Sequence, residues 1–144
     1  MKEISIKKYV RYLFGVAILV FFLNKFLLRP WVLENEKSEF FQIIVLSIPN
    51  LIEAIIGTLL LTGILLQLKH RFNKKMGYIK DEYLYLFAVG LALIYSVSQE
   101  FKFHNFGGNN VYDPYDVIAS LIGFVMTYGL IKVFGFVEKV KTEY

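Results

Sequence analysis

The sequence contains no cysteine, and it has only three prolines, one tryptophan and few charged residues among its 144 residues. Without cysteine, a disulfide framework, thiol catalysis and thiolate metal sites are all excluded. Charged residues make up 19% of the chain and hydrophobic residues 56%. A water-soluble domain of this length usually carries more charge and less apolar surface. The composition therefore indicates a chain that places its apolar side chains in a lipid bilayer.

Four apolar runs are long enough to cross a bilayer as helices, which takes about 20 residues each. They cover approximately residues 12–31, 42–68, 83–99 and 115–136. Pro30 is expected to stop the first helix, because proline lacks an N–H and disfavours helical geometry in the preceding residue. No repeat or linker divides the chain. We therefore expect one transmembrane domain over residues 1–144, with an all-α four-helix-bundle fold.

Basic residues flank these runs unevenly. Twelve of the sixteen Lys and Arg residues lie in the N-terminal tail, in the loop after the second run, or at the C-terminal end. The other two loops contain only Arg29, Lys37 and Lys102. By the positive-inside rule, the N-terminus and the C-terminus are both predicted to be cytoplasmic. The basic residues form no single stripe and no RNA-binding motif, so nucleic acid is not an expected partner.

Small and polar side chains recur at helical spacing within each run, and such residues mark helix–helix contacts in membranes. The predicted inward faces are Ala17 and Asn24; Asn50, Glu53 and Gly57; Ala88, Ala92, Ser96 and Gln99; and Asp116, Ser120, Gly123 and Thr127. Packing alone accounts for the alanines and glycines of these faces. The polar members are the candidates for a functional site.

Glu53 lies near the middle of the second run. An ionised carboxylate at that depth costs several kcal/mol unless it is paired, so we expect Glu53 to be protonated, hydrogen-bonded or facing water. Pro49, one turn earlier, frees a backbone carbonyl for polar contacts. Two interpretations of Glu53 stay open. It forms a structural ion pair with Lys25, or it belongs to a ligand or proton site.

The loop between the third and fourth runs is the other concentration of polar residues. Asp113 as N-cap, Pro114 at the first helical position and Asp116 two residues later predict a helix start. Glu100 and His104 are spaced four residues apart, but nothing requires the segment to be helical at His104, so we favour no metal site. We expect no cofactor and name no catalytic residue, and a membrane enzyme acting through Glu100, His104 and Asp113 is a lesser alternative.

The third and fourth runs resemble the end of VanZ-like membrane proteins over roughly residues 95–130. An acidic residue closes one span, a polar loop follows, and an Asp opens a span that continues apolar–apolar–small–polar–apolar–apolar–Gly. Position by position, the resemblance implicates Glu100, Asp116, Ser120 and Gly123. The chain lacks the basic residue often found in the loop before that Asp, and a His-containing pattern in the second span. The resemblance implies a small bacterial envelope protein of the plasma membrane, associated in some members with glycopeptide resistance.

The leading functional hypothesis is a non-enzymatic envelope protein with an outward-facing polar cavity. The cavity is expected to hold a lipid headgroup, a lipid-linked envelope precursor or a helix of another membrane protein. Its candidate ligand-binding residues are Lys25, Asn50, Glu53, Gln99, Glu100, Asp116 and Ser120. The alternative is a small transporter or channel, formed as a homo-oligomer, that uses Glu53 as its ion or proton carboxylate.

Overall fold

The computed structural model describes residues 4–100 and 113–138, and of Glu100 it describes only the backbone. Four long helices lie within these ranges: α1 (Lys8–Glu34), α2 (Glu39–Arg71), α3 (Asp81–Glu100) and α4 (Pro114–Phe134). A single helical turn, Asn73–Met76, lies between α2 and α3. Each long helix has the length and hydropathy to cross a bilayer. The prediction of an all-α, multi-pass membrane protein is therefore confirmed.

The second helix, α2, is the centre of the bundle. It packs against α1, α3 and α4, and α3 and α4 also pack against each other. A close approach joins α2 and α4 at Gly123, where an added Cβ would come within 2.6 Å of the Leu51 carbonyl oxygen and 2.9 Å of the Ala54 Cβ. The small-residue face predicted for the fourth span is therefore a site of close helix packing.

The first helix does not stop at Pro30. Residues Asn24–Leu28 form a π-helical turn, after which the α-helix resumes over Arg29–Glu34. Pro30 thus closely follows the π-helical turn, whose wider spacing leaves room for the proline ring, so the helix continues without its N–H. The prediction that Pro30 ends the first helix is wrong for this reason.

The fourth helix ends at Phe134, two residues before the predicted end of its span. Gly135 follows with φ at 72°, a conformation that favours glycine because it has no Cβ. The chain then turns back along the N-terminal segment. The Lys7 N–H donates to the Phe136 carbonyl at 3.0 Å, and the Glu138 N–H donates to the Ser5 carbonyl at 2.8 Å. We call residues 4–7 and 135–138 together the clasp.

Aromatic side chains and a lysine fix the clasp to the bundle. The Tyr9 hydroxyl donates to the Gly135 carbonyl at 2.6 Å, and the Tyr85 hydroxyl accepts from the Phe136 N–H at 3.3 Å. The Lys7 ammonium donates to the Phe134 carbonyl at the end of α4, where a cation complements the helix dipole. Both ends of the described chain therefore lie on one side of the bundle, which we call the terminal face. This arrangement agrees with the predicted placement of both termini on the same side of the membrane.

Candidate functional site

A proline inside α2 creates a polar contact with α1. Pro49 has no N–H, so the carbonyl of Val45, one turn earlier, lacks its helical donor. The side-chain amide of Asn24 donates to that carbonyl at 3.0 Å, and Asn24 is fully buried. The prediction that Pro49 frees a carbonyl for polar contacts is confirmed. The Asn24 Oδ1 atom, by contrast, has no hydrogen-bond partner.

A polar cluster lies where α4 begins beside α2. Asp113 is the N-cap predicted from the sequence, and its Oδ1 accepts from the Tyr115 N–H at 2.9 Å. The side chains of Ser47 and Asn50 approach Asp116 from α2. Ser47 is only 8% exposed, and neither its hydroxyl nor the Asp116 Oδ1 makes a hydrogen bond. The α2–α4 interface thus contains buried polar groups with unused hydrogen-bonding capacity.

Two serines extend this polar cluster to α3. The Ser96 hydroxyl donates to the Ser120 oxygen at 3.2 Å, and the Ser120 hydroxyl lies 3.5 Å from the Asn50 carbonyl oxygen that it faces. Three of the predicted site residues, Asn50, Asp116 and Ser120, therefore come together. Ser96 belongs with them, although it was predicted only as part of an inward face.

Glu53 lies outside this cluster, on the exposed side of α2. It lines a groove of about 560 Å³ between α2 and α3, which we call the Glu53 groove. Other residues of its lining include Ala54, Gly57, Leu91, Tyr95, Ser96 and Phe124. At 1.5 Å per residue, Glu53 stands ~21 Å from the first residue of a helix that is ~50 Å long. The carboxyl group is thus near the middle of α2 and open to the side.

The inward face predicted for the second span is therefore wrong at Glu53. Since α2 contacts three neighbouring helices, its buried surface is broad, and it is formed around Ile52, Ala54 and Ile55 instead. Ser96 connects the two polar regions, because it lines the Glu53 groove and also hydrogen-bonds to Ser120.

Lys25 does not pair with Glu53. Its side chain is exposed on the π-helical turn, with the ammonium 6.0 Å from the Phe21 ring centroid and 5.9 Å from that of Phe26. Within the described ranges, the one ion pair joins the Lys69 ammonium to Asp81 Oδ1 at 2.6 Å, on the terminal face. The ion-pair interpretation is wrong because the π-helical turn directs Asn24, rather than Lys25, into the bundle.

The remaining predicted residues lie at the end of α3. The side-chain amide of Gln99 donates to the Tyr95 hydroxyl at 2.7 Å, which places Gln99 beside the Glu53 groove. The Glu100 side chain and His104 lie outside the described residues. The predicted site is thus divided between a cluster around Asp116 and a neighbouring groove around Glu53.

Sequence reasoning missed three buried hydroxyls of α2 and the whole clasp. Ser47, Thr58 and Thr62 are buried, and none of their hydroxyls makes a hydrogen bond. The four-residue spacing of Thr58 and Thr62 in an otherwise aliphatic stretch was a usable signal for an inward face. For the clasp the only signal was Gly135, a common helix-ending residue placed directly after the apolar run.

The chain matches no protein-family model, no curated protein and no solved structure. The resemblance to VanZ-like proteins therefore stays a prediction from the sequence. The function of the chain is therefore inferred from two features of the structure, the polar cluster around Asp116 and the Glu53 groove.

Proposed function

We propose that this chain is a small, non-enzymatic membrane protein of the bacterial envelope that binds a partner transmembrane helix in the Glu53 groove. One observation carries the proposal, which is the position of the Glu53 carboxyl group. It is exposed near the middle of a membrane-spanning helix, in a groove that opens sideways. A carboxyl group facing hydrocarbon without a partner is unfavourable by several kcal/mol, so a polar group supplied from outside would stabilise it.

A helix fits this groove better than a lipid headgroup does. Headgroups lie about 15 Å from the middle of the bilayer, whereas Glu53 is near mid-depth. The groove also contains small residues, since Ala54, Gly57 and Ala92 line it and an added Cβ on Gly57 would meet nothing within 4 Å. Small residues permit the close backbone approach typical of packed transmembrane helices.

The expected partner helix carries a hydrogen-bond donor near its middle. A Ser, Thr, Asn, Gln, His or Lys side chain there would donate to Glu53, and the Tyr95 and Ser96 hydroxyls offer further polar contacts. A second copy of this chain and a different membrane protein are both such partners. The resemblance of residues 95–130 to VanZ-like proteins supports placement in a bacterial plasma membrane.

Cross-linking from single cysteines tests the proposal, because the chain has no native cysteine. A photo-cross-linker on Gly57→Cys reports on the groove, and one on Val125→Cys reports on a surface of α4 that does not line it. We expect groove-specific adducts from the first position. Glu53→Leu, which removes the acceptor and keeps a similar volume, should weaken them by about 3- to 30-fold, the range for one interhelical hydrogen bond in a membrane.

Glu82→Leu is the matched control, since it removes an exposed carboxylate in the first turn of α3, outside the groove. It should leave the Gly57→Cys adducts unchanged. Equal adducts at Cys-substituted positions 57 and 125, or adducts at position 57 that do not respond to Glu53→Leu, would contradict the proposal.

A transporter or channel is the second candidate function. It is favoured by the Ser120–Ser96 hydrogen bond, which links the Asp116 cluster to the Glu53 groove through two hydroxyls. Chains of hydroxyl and carboxyl groups are the usual means of moving protons through membrane proteins. Proton and cation flux into liposomes containing wild type or Glu53→Gln decides the matter, and an absence of Glu53-dependent flux removes this candidate.

A further inference from the structure

A stripe of α2 residues faces outward along the Glu53 groove. Glu53, Gly57 and Leu60 line the groove, and Ile64 continues the stripe one turn further along the helix. Their spacing of four, three and four residues places them on one face of α2. Leu60 and Ile64 are half exposed, and an added Cβ on Gly57 would meet nothing within 4 Å. A second helix can therefore lie close along this face, with Gly57 at the point of closest approach.

The depth of Glu53 decides which groups of a neighbouring copy can reach it. By the positive-inside rule every copy has the same orientation, so residues of two adjacent copies meet at equal depth. The Asn24–Val45 hydrogen bond fixes the level of α1 against α2, and because these helices run antiparallel, the α1 residue level with Glu53 is Val16. Lys25 stands nine residues from that level, ~14 Å along the axis. This is farther than the two extended side chains can span, so Lys25 of a second copy does not pair with Glu53.

Few exposed polar side chains lie at the level of Glu53. Gly123 packs against Ala54 and so marks this level on α4. Within three residues of the level, about 5 Å along the axis, the exposed side chains of α1 and α4 are all apolar. They are Val16, Leu19, Leu121, Ile122, Val125 and Met126. In the part of the chain that the structure describes, the exposed polar side chains at this level are Glu53 and Tyr95, which both line the Glu53 groove.

A carboxyl group is its own complement. In its protonated form Glu53 has one O–H donor and free acceptor oxygens, so two such groups hydrogen-bond to each other. A two-fold axis along the membrane normal brings equivalent residues of two copies to equal depth on opposite sides of the axis. The same surface then serves both copies, and one Glu53 meets the other. The groove therefore contains the donor that its own carboxyl group needs.

We propose that the helix bound in the Glu53 groove is α2 of a second copy of this chain, in a parallel two-fold dimer whose Glu53 carboxyl groups hydrogen-bond to each other. This inference rests on the proposed function, because it names the partner of the same groove. The two Gly57 residues lie beside the axis, one turn from the carboxyl pair. The dimer removes both carboxyl groups from the hydrocarbon, where each alone is unfavourable.

Energy transfer between purified full-length chains tests this partner with no other protein present. Chains labelled at Lys74→Cys, an exposed position outside the groove, are reconstituted in phosphatidylcholine vesicles and diluted with lipid. We expect a dimer. Glu53→Leu should raise its dissociation constant about 3- to 30-fold, the range for one interhelical hydrogen bond in a membrane. Glu53→Gln should leave the constant nearly unchanged, because an amide is also both donor and acceptor, and the control Glu82→Leu should leave it unchanged as well.

Cysteine cross-linking locates the two-fold axis. An oxidant should join Gly57→Cys chains into disulfide-linked dimers, because Cα atoms beside the axis come within the ~4–7 Å that a disulfide requires. Val16→Cys and Val125→Cys are the matched controls, since they lie at about the level of Glu53 on exposed surfaces of α1 and α4. Both controls should remain monomeric under the same oxidant.

Three results would overturn the inference, which are purified chains that stay monomeric, equal cross-linking at positions 16, 57 and 125, and a loss from Glu53→Gln as large as that from Glu53→Leu. Monomeric purified chains together with Glu53-dependent adducts at position 57 in native membranes would leave the proposed function standing, with a different membrane protein as the partner. Monomeric chains without such adducts would overturn the proposed function as well.

Discussion

Gly123→Ala should separate the two helices at the centre of the bundle. The new methyl group would lie 2.6 Å from the Leu51 carbonyl oxygen and 2.9 Å from the Ala54 Cβ. A carbonyl within a helix cannot rotate away as a flexible side chain can, so α4 would have to move outward by roughly half an ångström. Overpacking of this kind costs about 1–3 kcal/mol, and we expect the upper part of that range, about 2–3 kcal/mol.

The intrinsic preference of alanine for helices opposes this loss by up to about 1 kcal/mol. Gly129→Ala is the control that removes this contribution, because Gly129 lies in the same helix and an added Cβ there meets nothing within 4 Å. The difference in free energy of unfolding between the two variants should therefore equal the steric cost, about 2–3 kcal/mol. This corresponds to about a 30- to 150-fold change in the unfolding equilibrium constant.

Steric trapping in bicelles measures that free energy under conditions that keep the bundle folded. Adding Ala54→Gly to Gly123→Ala should recover only part of the loss, because it removes the methyl contact and leaves the Leu51 carbonyl in place. Equal stabilities for Gly123→Ala and Gly129→Ala would refute the close α2–α4 contact on which the description of the bundle rests.

Three further predictions concern α1, the clasp and the orientation. Asn24→Leu should reduce the free energy of unfolding by about 1–2 kcal/mol, because it leaves the Val45 carbonyl unpaired. Adding Pro49→Ala should restore part of this loss by returning a helical N–H donor to that carbonyl, and a double-mutant cycle measures the recovery. Gly135→Ala should strain the backbone at φ 72° by about 1–3 kcal/mol, and hydrogen exchange of the Lys7 and Glu138 amides should become faster. The control Gly129→Ala should leave the exchange rates of these two amides unchanged. Reporter fusions at the two termini should both report the cytoplasm, and a periplasmic signal from either would contradict the positive-inside assignment.

Much of the fold could be predicted because a bilayer makes the relevant physics local. Backbone groups inside hydrocarbon find no water to bond to, and a single segment satisfies nearly all of its own only as a helix, so long apolar runs become helices whatever their neighbours are. The four spans, the Asp113 cap and the carbonyl freed by Pro49 all follow from residues close together in the chain. The close contact at Gly123 also follows, since small residues mark where helices meet.

The faces of α2 were decided only by the tertiary structure. Glu53 and Ser47 both have apolar neighbours in the sequence, yet Ser47 is buried and Glu53 opens into a groove. The difference arises because α2 has neighbours on several sides, and the spaces between those neighbours are not encoded in the periodicity of one helix. The same reason explains why Lys25, near the predicted outer end of the first span, and Glu53, near the middle of the second, do not form the ion pair that the sequence left open.

The clasp and the Glu53 groove also required the assembled chain. The hydrogen bonds of Lys7 and Glu138 join segments more than 120 residues apart, and no local pattern announces such a pairing. A groove is a gap left by side chains of several helices, so its position depends on how those helices cross. The sequence by itself thus determined that the chain has four membrane-spanning helices and which polar residues lie within them. The tertiary structure decided which of them meet, because side-chain contacts between helices are set by packing and not by hydropathy.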